Sequence, residues 1–527
     1  MTNYVSFDIG TCTTVCAVLE DVSEDMDIPA RVVNIDGNSP FCPSYVAIKD
    51  DKFLIGSDAM NLSYSSDYSV FTQMKRDLGI GKVYRIGNDN YDPAAFQATI
   101  ARRIFRKVLN QNGWDESSTK VTFTIPIDFS PKAKNAYIKA LKAKKFDIDS
   151  GMIFNEPLSA LMAVAHEKGS EIDGKDVMIV DIGGGTTDVI VAHCLSDQDG
   201  FRIKPRGYGG KKDIGGADFD KYVRNIILDS IFRKYPDIVR ENFIADRKNM
   251  FGINRLTERV KIDLCENRSD QTFVHKVFGK DDPVVGRVSW EGFKEASKPL
   301  VDRIVDECGN ALSLAINDDE SNLRALDLDP IGSADDIDLV VFIGGGSKAP
   351  MIKDEFLKRY PNLSDRVIES VDPQKAVALG AAYLARSVDR FRSLNDPATS
   401  VAPVTDRAWT GIGVEVTDYK EGHRFSSVHI WKNDLLPTEL RRKYLVPENH
   451  TAMLKSDIYS IPGWTRDKGK RCELNACEII GTIKLDASAA KDNDVIDVLI
   501  TLDHNGTIKV VAELNGKETA AVFNIQR

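Results

Sequence analysis

From residue 1 to about residue 390, short unbroken apolar runs alternate with stretches whose apolar residues recur at helical spacing. Val177-Met178-Ile179-Val180 and Leu339-Val340-Val341-Phe342-Ile343 are runs of the first kind and predict buried strands. Val121-Thr122-Phe123-Thr124-Ile125-Pro126 reads as another strand. Phe219, Val223, Ile226, Ile227 and Ile231 follow helical spacing and predict an amphipathic helix. Ser130 to Lys145, opened by Ser130-Pro131, predicts a helix. Lys375 to Val388 predicts one that packs closely through Gly380-Ala381-Ala382. Strands alternating with helices indicate an α/β architecture over residues 1–392.

The pattern then changes. Leu394 to Thr405 carries two prolines among small polar residues, which is linker chemistry, and a linker is expected over 393–408. From 409 to 527 the helical period gives way to two-residue alternation, clearest in Val495 to Leu502 and Thr507 to Leu514. Asn505-Gly506 between those runs predicts a hairpin, and Asn515-Gly516 a second. An antiparallel β domain is the expectation.

Glycine placement adds chemistry to the strands. The run ending at Val180 feeds Asp181-Ile182-Gly183-Gly184-Gly185-Thr186-Thr187-Asp188, an acid, three glycines and a second acid. Glycine lets backbone N–H groups approach an anion closely, and carboxylates beside a phosphate require a cation between them. The device recurs at Tyr4-Val5-Ser6-Phe7-Asp8-Ile9-Gly10-Thr11-Cys12-Thr13-Thr14-Val15. Two strand–Asp–x–Gly hairpins predict two similar lobes closing on one polyphosphate. Leu339 to Pro350 repeats strand and glycines without acids, which suits a neutral nucleoside better than metal-bound phosphate.

Composition narrows the partners. The chain has 527 residues, 42% hydrophobic and 28% charged, with a formal net charge of −10. That balance is ordinary for a globular protein and argues against a nucleic-acid or acidic-membrane binder. No apolar run approaches the ~18 residues that span a bilayer. Met1-Thr2-Asn3 leads directly into a strand without a secretory pattern, so a cytoplasmic protein is expected. Eight scattered cysteines form no C-x-x-C pair, and the odd offset between Cys472 and Cys477 predicts opposite faces of a strand.

These motifs resemble the DnaK-type 70-kilodalton heat-shock chaperones, within the actin-like ATPases. The resemblance is carried in order by Asp8-Ile9-Gly10-Thr11, Pro43-Ser44-Tyr45-Val46-Ala47, Met74-Lys75-Arg76, Asn155-Glu156-Pro157, Asp181 to Asp188, Gly215-Gly216-Ala217-Asp218-Phe219-Asp220, Ile343 to Pro350, and Asp372 to Ala382. It implies a two-lobed α/β ATPase domain followed by a small β-sandwich, and hydrolysis of ATP to ADP coupled to binding of extended apolar polypeptide. It implies Asp8 and Asp181 as holders of Mg²⁺, largely through water, with K⁺ among nearby monovalent cations. Lys75 is implied to contact the γ-phosphate and attacking water, Glu156 and Asp188 to orient that water, and Thr186 to contact the γ-phosphate. The phosphate cradle is Gly10, Thr11, Cys12 and Thr13 with Gly183, Gly184 and Gly185. Pro126 matches the family's interlobe switch, with Lys134 where an arginine is usual.

For adenosine, Glu258, Lys261 and Cys265 share one helix face, with Ile262 beside them. Gly216 and the turn Gly345, Gly346, Ser347 and Lys348 complete the expected site, Lys348 standing where an arginine is usual. Implied partners are unfolded clients, a J-domain co-chaperone and a nucleotide-exchange factor. Three departures bear on chaperone action. The linker Val401 to Thr405 before Asp406 is less apolar than the family's leucine run, so domain coupling is expected to be weaker or differently made. The chain ends at Arg527, so the helical lid is expected to be missing. Leu445 to Arg466 does not reproduce the family's peptide clamp, and its Tyr459, Ile461 and Trp464 are expected in the core. Besides a divergent, lidless chaperone, the residues leave open a nucleotide-gated scaffold with negligible turnover, and an actin-like small-molecule kinase.

Overall fold

The computed structural model describes residues 2–21, 29–50, 52–65, 67–127, 129, 131–148, 152–197, 200–369, 371–393, 407–408, 410–418, 422–463, 465–502 and 507–524. Residues 394–406 of the expected linker, Asp406 included, Trp464 and the turn 503–506 lie outside them, whereas Arg407 and Ala408 of that linker are described and buried.

Two sheets of one topology form the first part of the chain. In the first, Thr2–Ile9 pairs antiparallel with Thr13–Asp21 and parallel with Thr119–Ile125, which pairs parallel with Ile153–Asn155. In the second, Lys175–Ile182 pairs antiparallel with Thr187–Asp197 and parallel with Leu339–Ile343, which pairs parallel with Val367–Ile368. Each hairpin's second strand takes a further antiparallel neighbour, Arg31–Val32 and Gly200–Lys211 respectively. The duplication expected from the two Asp–x–Gly motifs is therefore present over five strands of each sheet, and the first sheet adds Phe41–Pro43 beside Thr13–Asp21.

Two helices cross between the sheets. Glu156–Lys168 follows the first sheet's last strand yet packs on the second sheet, where Leu158, Leu161 and Ala165 share a core with Val177, Ile179 and Ile190. Ala376–Ser393 follows the second sheet yet packs on the first: Ser6 Oγ donates to Ala378 O at 2.7 Å and Tyr4 Oη to Asp389 Oδ2 at 2.7 Å. The helices meet at Gly380, where a Cβ would overlap the carbonyl of Ser159. No side chain fits at that crossing.

Other elements refine the sequence reading. The helix expected around Phe219 runs Asp220–Lys234 and buries Val223, Ile227, Leu228 and Ile231, leaving Ile226 partly exposed. The one expected from Ser130 to Lys145 is Pro131–Ala143. No helix of the described residues is long and apolar enough to cross a membrane.

The last part is a two-sheet sandwich. One sheet runs Arg471–Glu473, Arg424–Ile430, Gly411–Thr417, Met453–Ile461, Glu478–Asp486; the other runs Thr438–Leu445, Val495–Leu502, Thr507–Leu514, Lys517–Asn524. Alternate residues Val498, Ile500, Leu502, Ile508 and Val510 turn inward against Ile412, Ile430 and Ile458, as the two-residue alternation requires. Asn515 and Gly516 both take positive φ, of 51° and 78°, and close the second expected hairpin. Tyr459 and Ile461 are buried, as expected of core residues. Cys472 and Cys477 depart from expectation: a 3-10 turn at Leu474–Ala476 breaks the strand between them and brings the sulfurs to 3.6 Å. Strand parity no longer applies across such a turn.

One arginine ties the sandwich to the rest. Arg407 is buried, with Nη1 donating to Asp318 Oδ1 at 2.9 Å, Nη2 to Asp318 Oδ2 at 2.5 Å, Nη1 to Asn433 O at 3.0 Å, and Nε to Pro205 O. Asn433 Nδ2 extends the contact to Arg206 O at 3.0 Å.

Candidate functional site

The two glycine hairpins face each other across a cleft of about 1830 Å³ between the sheets. Both are closed by the same bond, Gly10 N to Thr13 O and Gly183 N to Thr186 O, each at 3.0 Å. A Cβ on Gly184 would lie 2.6 Å from Cys12 Sγ, so the tips touch only because that position is glycine. The backbone N–H groups of Thr11, Cys12, Gly184 and Gly185 have no protein acceptor among the described residues. Those of Thr11, Cys12 and Gly184 line the mouth of the cleft and make an anion cradle.

Carboxylates line the base. Asp8 and Asp181 are the penultimate residues of the central strands of the two sheets, and in register Asp181 stands directly opposite Asp188. Asp188 is buried and its Oδ1 accepts from Ile127 N at 2.8 Å, which ties the second hairpin to the residue after Pro126. Glu156 opens its helix ahead of Pro157, where the N-terminal dipole favours a carboxylate. Lys75 sits on the turn Met74–Asp77, and its Nζ donates to Glu156 Oε1 with both side chains under 10% exposed. Thr186 lies on the cleft wall beside them.

Charge in this base is out of balance. Burial, then Glu156, raises the Asp8 carboxyl to about 7, against the pull of Lys75 and a Thr124 hydrogen bond. Burial, Glu156 and Asp8 raise Asp181 well above the carboxylate range. Burial opposes the charge on Lys75, but Glu156, Asp8 and Asp188 outweigh it and its pKa rises. Four carboxylates around one ammonium, with orphan N–H donors above, fit a divalent cation shared with a polyphosphate. No three ligating side chains converge on one point among the described residues. Such a cation takes most of its ligands from water and phosphate, as Mg²⁺ does.

The far wall comes from the helix Arg247–Asn267. Glu258, Lys261, Ile262 and Cys265 all line the cleft, and Ile262 leaves 44% of its surface exposed there. Lys261 Nζ donates to Gly216 O at 2.9 Å and pairs with Asp220 at 2.7 Å. Burial, then Glu258, pushes the Cys12 thiol up to about 11, and burial raises Cys265 to about 11, so both stay protonated and inert. Gly345, Gly346 and Lys348 line the same cleft as Ile262. Lys348 Nζ donates to Gln374 Oε1 at 3.0 Å, and Ser347 Oγ turns away from the cleft to Gly344 O at 2.7 Å. Of the expected site residues, Gly185, Asp188 and Ser347 therefore lie just behind the surface rather than on it.

Sequence reading missed Arg76. Its guanidinium donates to Asp218 at 3.1 and 2.5 Å and to Gly185 O at 3.3 Å, clasping the second hairpin from the first lobe. The available signal was a cation adjoining Lys75 and an acid within Gly215 to Asp220.

A sequence profile described as "Hsp70 protein" matches residues 80–527. The chain belongs to the Hsp70 family. Curated relatives extend the similarity over the N-terminal hairpin. "Chaperone protein DnaK" of Halobacterium salinarum is 24% identical over 98% of this chain and 74% of its own. That of Nitrosopumilus maritimus is 25% identical over 100% of this chain and 76% of its own. That of Deinococcus deserti is 25% identical over 99% and 79%. The duplicated sheets and the β-sandwich are those expected of an Hsp70 protein.

Proposed function

We propose that the protein is an ATP-hydrolysing Hsp70 chaperone that uses turnover of ATP to ADP and phosphate to control its hold on extended apolar polypeptide. Residues 1–392 form the actin-like ATPase domain, 393–408 the linker, and 409–527 the β-sandwich that takes polypeptide. The observation that carries this reading is the buried Lys75–Glu156 pair among Asp8, Asp181 and Asp188, beneath the N–H cradle. A lysine enclosed among carboxylates at the floor of a cleft has no structural need to be there, whereas phosphoryl transfer needs a held cation beside the transferring group.

Asp8 and Asp181 would hold Mg²⁺, which would neutralise phosphate charge. Lys75 keeps its proton and directs it at the γ-phosphate side of the cleft, held in line by Glu156. Glu156 and Asp188 accept hydrogen bonds from the attacking water and thereby orient it, and Thr186 donates to the γ-phosphate. These are positioning and electrostatic roles, which supply most of the rate in this chemistry. Gly10 to Thr13 and Gly183 to Gly185 form the phosphate loops, in which Thr11, Cys12 and Gly184 present N–H groups to the phosphates. The base and ribose lie between Ile262, Glu258, Lys261 and Cys265 on one side and Gly216 with the Gly345 to Lys348 turn on the other. K⁺ near the carboxylates, a J-domain co-chaperone and an exchange factor complete the system, in the cytoplasm.

Single-turnover hydrolysis of ATP by the full chain and by Lys75→Ala tests this reading. The variant is expected to bind ATP and lose turnover by about 10²–10³-fold, the cost of removing one charge-stabilising donor, while an unfolded apolar peptide accelerates the parent. Equal turnover in parent and variant, or binding with no turnover in either, overturns it and leaves a nucleotide-gated scaffold.

A further inference from the structure

The sandwich carries a second cavity, of about 310 Å³, which shares no lining residue with the nucleotide cleft. Five consecutive residues of the strand Thr438–Leu445, Thr438 to Arg442, line it. Successive residues of a strand point to opposite faces, so a cavity bordered by all five lies along the strand's edge rather than on one face. That edge is open: the strand pairs with Val495–Leu502 on one side and with no strand on the other among the described residues.

The edge is basic. Arg441, Arg442, Arg466 and Lys470 surround the cavity, against Asp434 and Glu439. Arg466 is committed to Asp434 at 2.9 Å and Arg441 to Asp497 at 3.4 Å. Arg442 and Lys470 pair with no carboxylate among the described residues. Cations on an open edge also block aggregation, whether they point outward or inward. Arg442 is distinguished by what it packs on. Its guanidinium lies 5.8 Å from the ring centre of buried Trp431, which Arg466 also covers at 4.9 Å, and its Nε is buried without an acceptor.

We infer that this edge binds an extended acidic polypeptide segment, which adds as a further strand beside Thr438–Leu445 and places a carboxylate against Arg442 and Lys470. The main-chain edge supplies register, the cations supply sign, and Trp431 holds the guanidinium planes ready. A net charge of −10 makes acidic ligands poor partners for the surface at large, so recognition concentrates where the local sign is reversed.

The test is a titration of the full chain, read by tryptophan fluorescence, with a peptide of alternating Glu and Val, its Gln/Val counterpart, and a Glu/Val peptide N-methylated at alternate amides. The Glu peptide is expected to bind about tenfold or more tighter than either control. Arg442→Gln with Lys470→Gln is expected to erase that preference while the melting temperature and ATP turnover hold. Equal binding of Glu and Gln peptides overturns the assignment. Undiminished binding of the N-methylated peptide, or displacement by inorganic phosphate alone, also overturns it, by reducing the site to a point charge without strand addition. Because ATP turnover is read separately, failure here leaves the ATPase reading standing.

Discussion

Arg407 is where the attachment of the sandwich is best tested. Its side chain is 0% exposed and that of Asp318 is 1% exposed. Arg407→Ala removes four hydrogen bonds at once and leaves Asp318 buried. Oδ1 of Asp318 keeps Asn322 Nδ2 at 2.9 Å and Asp319 N at 3.0 Å, whereas Oδ2 loses its charged donor. Breaking one partner of a buried pair costs about 3–5 kcal/mol, and the two surviving donors place this case near about 3. The cost falls on the docking of the two parts, because Asp318 and Pro205 lie on one side of the contact and Asn433 on the other. Scanning calorimetry and small-angle scattering of the full chain read the result. The expectation is a sandwich transition that separates from the main one and a larger radius of gyration. A cycle with Asp318→Ala should show coupling of about 2 kcal/mol or more. An Arg407→Ala protein with unchanged dimensions and transition, or single-variant losses that simply add in the double variant, refutes the role given to this pair.

Other consequences are as concrete. Gly380→Ala forces a methyl into the Ser159 carbonyl, and neither helix backbone can yield without moving a sheet; a loss of about 3 kcal/mol or more by denaturant unfolding is expected. Burial holds His429 neutral to about pH 4, against an ordinary 6.5, with Arg442 adding to the effect. The unfolded chain therefore binds the extra proton between about 6.5 and 4, and sandwich stability falls with pH across that window by up to about 3 kcal/mol, a slope His429→Gln should flatten. Diamide should join Cys472 to Cys477 before any other pair, seen as loss of two hydrogens from the peptide containing both. Because burial raises Cys477 to about 12, that reaction should accelerate as pH rises.

What could be read from the sequence was whatever is local. Apolar runs and helical spacing located the strands and helices because each depends on its own neighbours. The two Asp–x–Gly hairpins foretold a duplicated sheet because the motif and its flanking strand are contiguous. Lys75, Glu156 and Asp188 entered only through resemblance, since no spacing rule joins residues so far apart into one charge cluster. Arg407 was illegible: it falls inside the stretch 393–408 read as linker, and its partner Asp318 lies 89 positions away. Cys472 and Cys477 were misread because strand parity was applied across a turn that the sequence did not announce. The open edge of Thr438–Leu445 was equally hidden, as a strand's neighbours are set by topology and not by its own residues.

The exchange of helices between the two sheets bears on how this protein can be dissected. Each sheet is covered by a helix that the other half of the fold contributes, so a fragment ending before Lys175 would carry the first sheet without Ala376–Ser393 and would expose the face around Ser6 and Ala378. A fragment beginning there would lack Glu156–Lys168 and bare Val177, Ile179 and Ile190. The lobes are thus interlaced rather than adjoining: neither is a folding unit by itself, and nascent chain up to residue 375 leaves the first sheet's covering unmade until Ala376–Ser393 is synthesised.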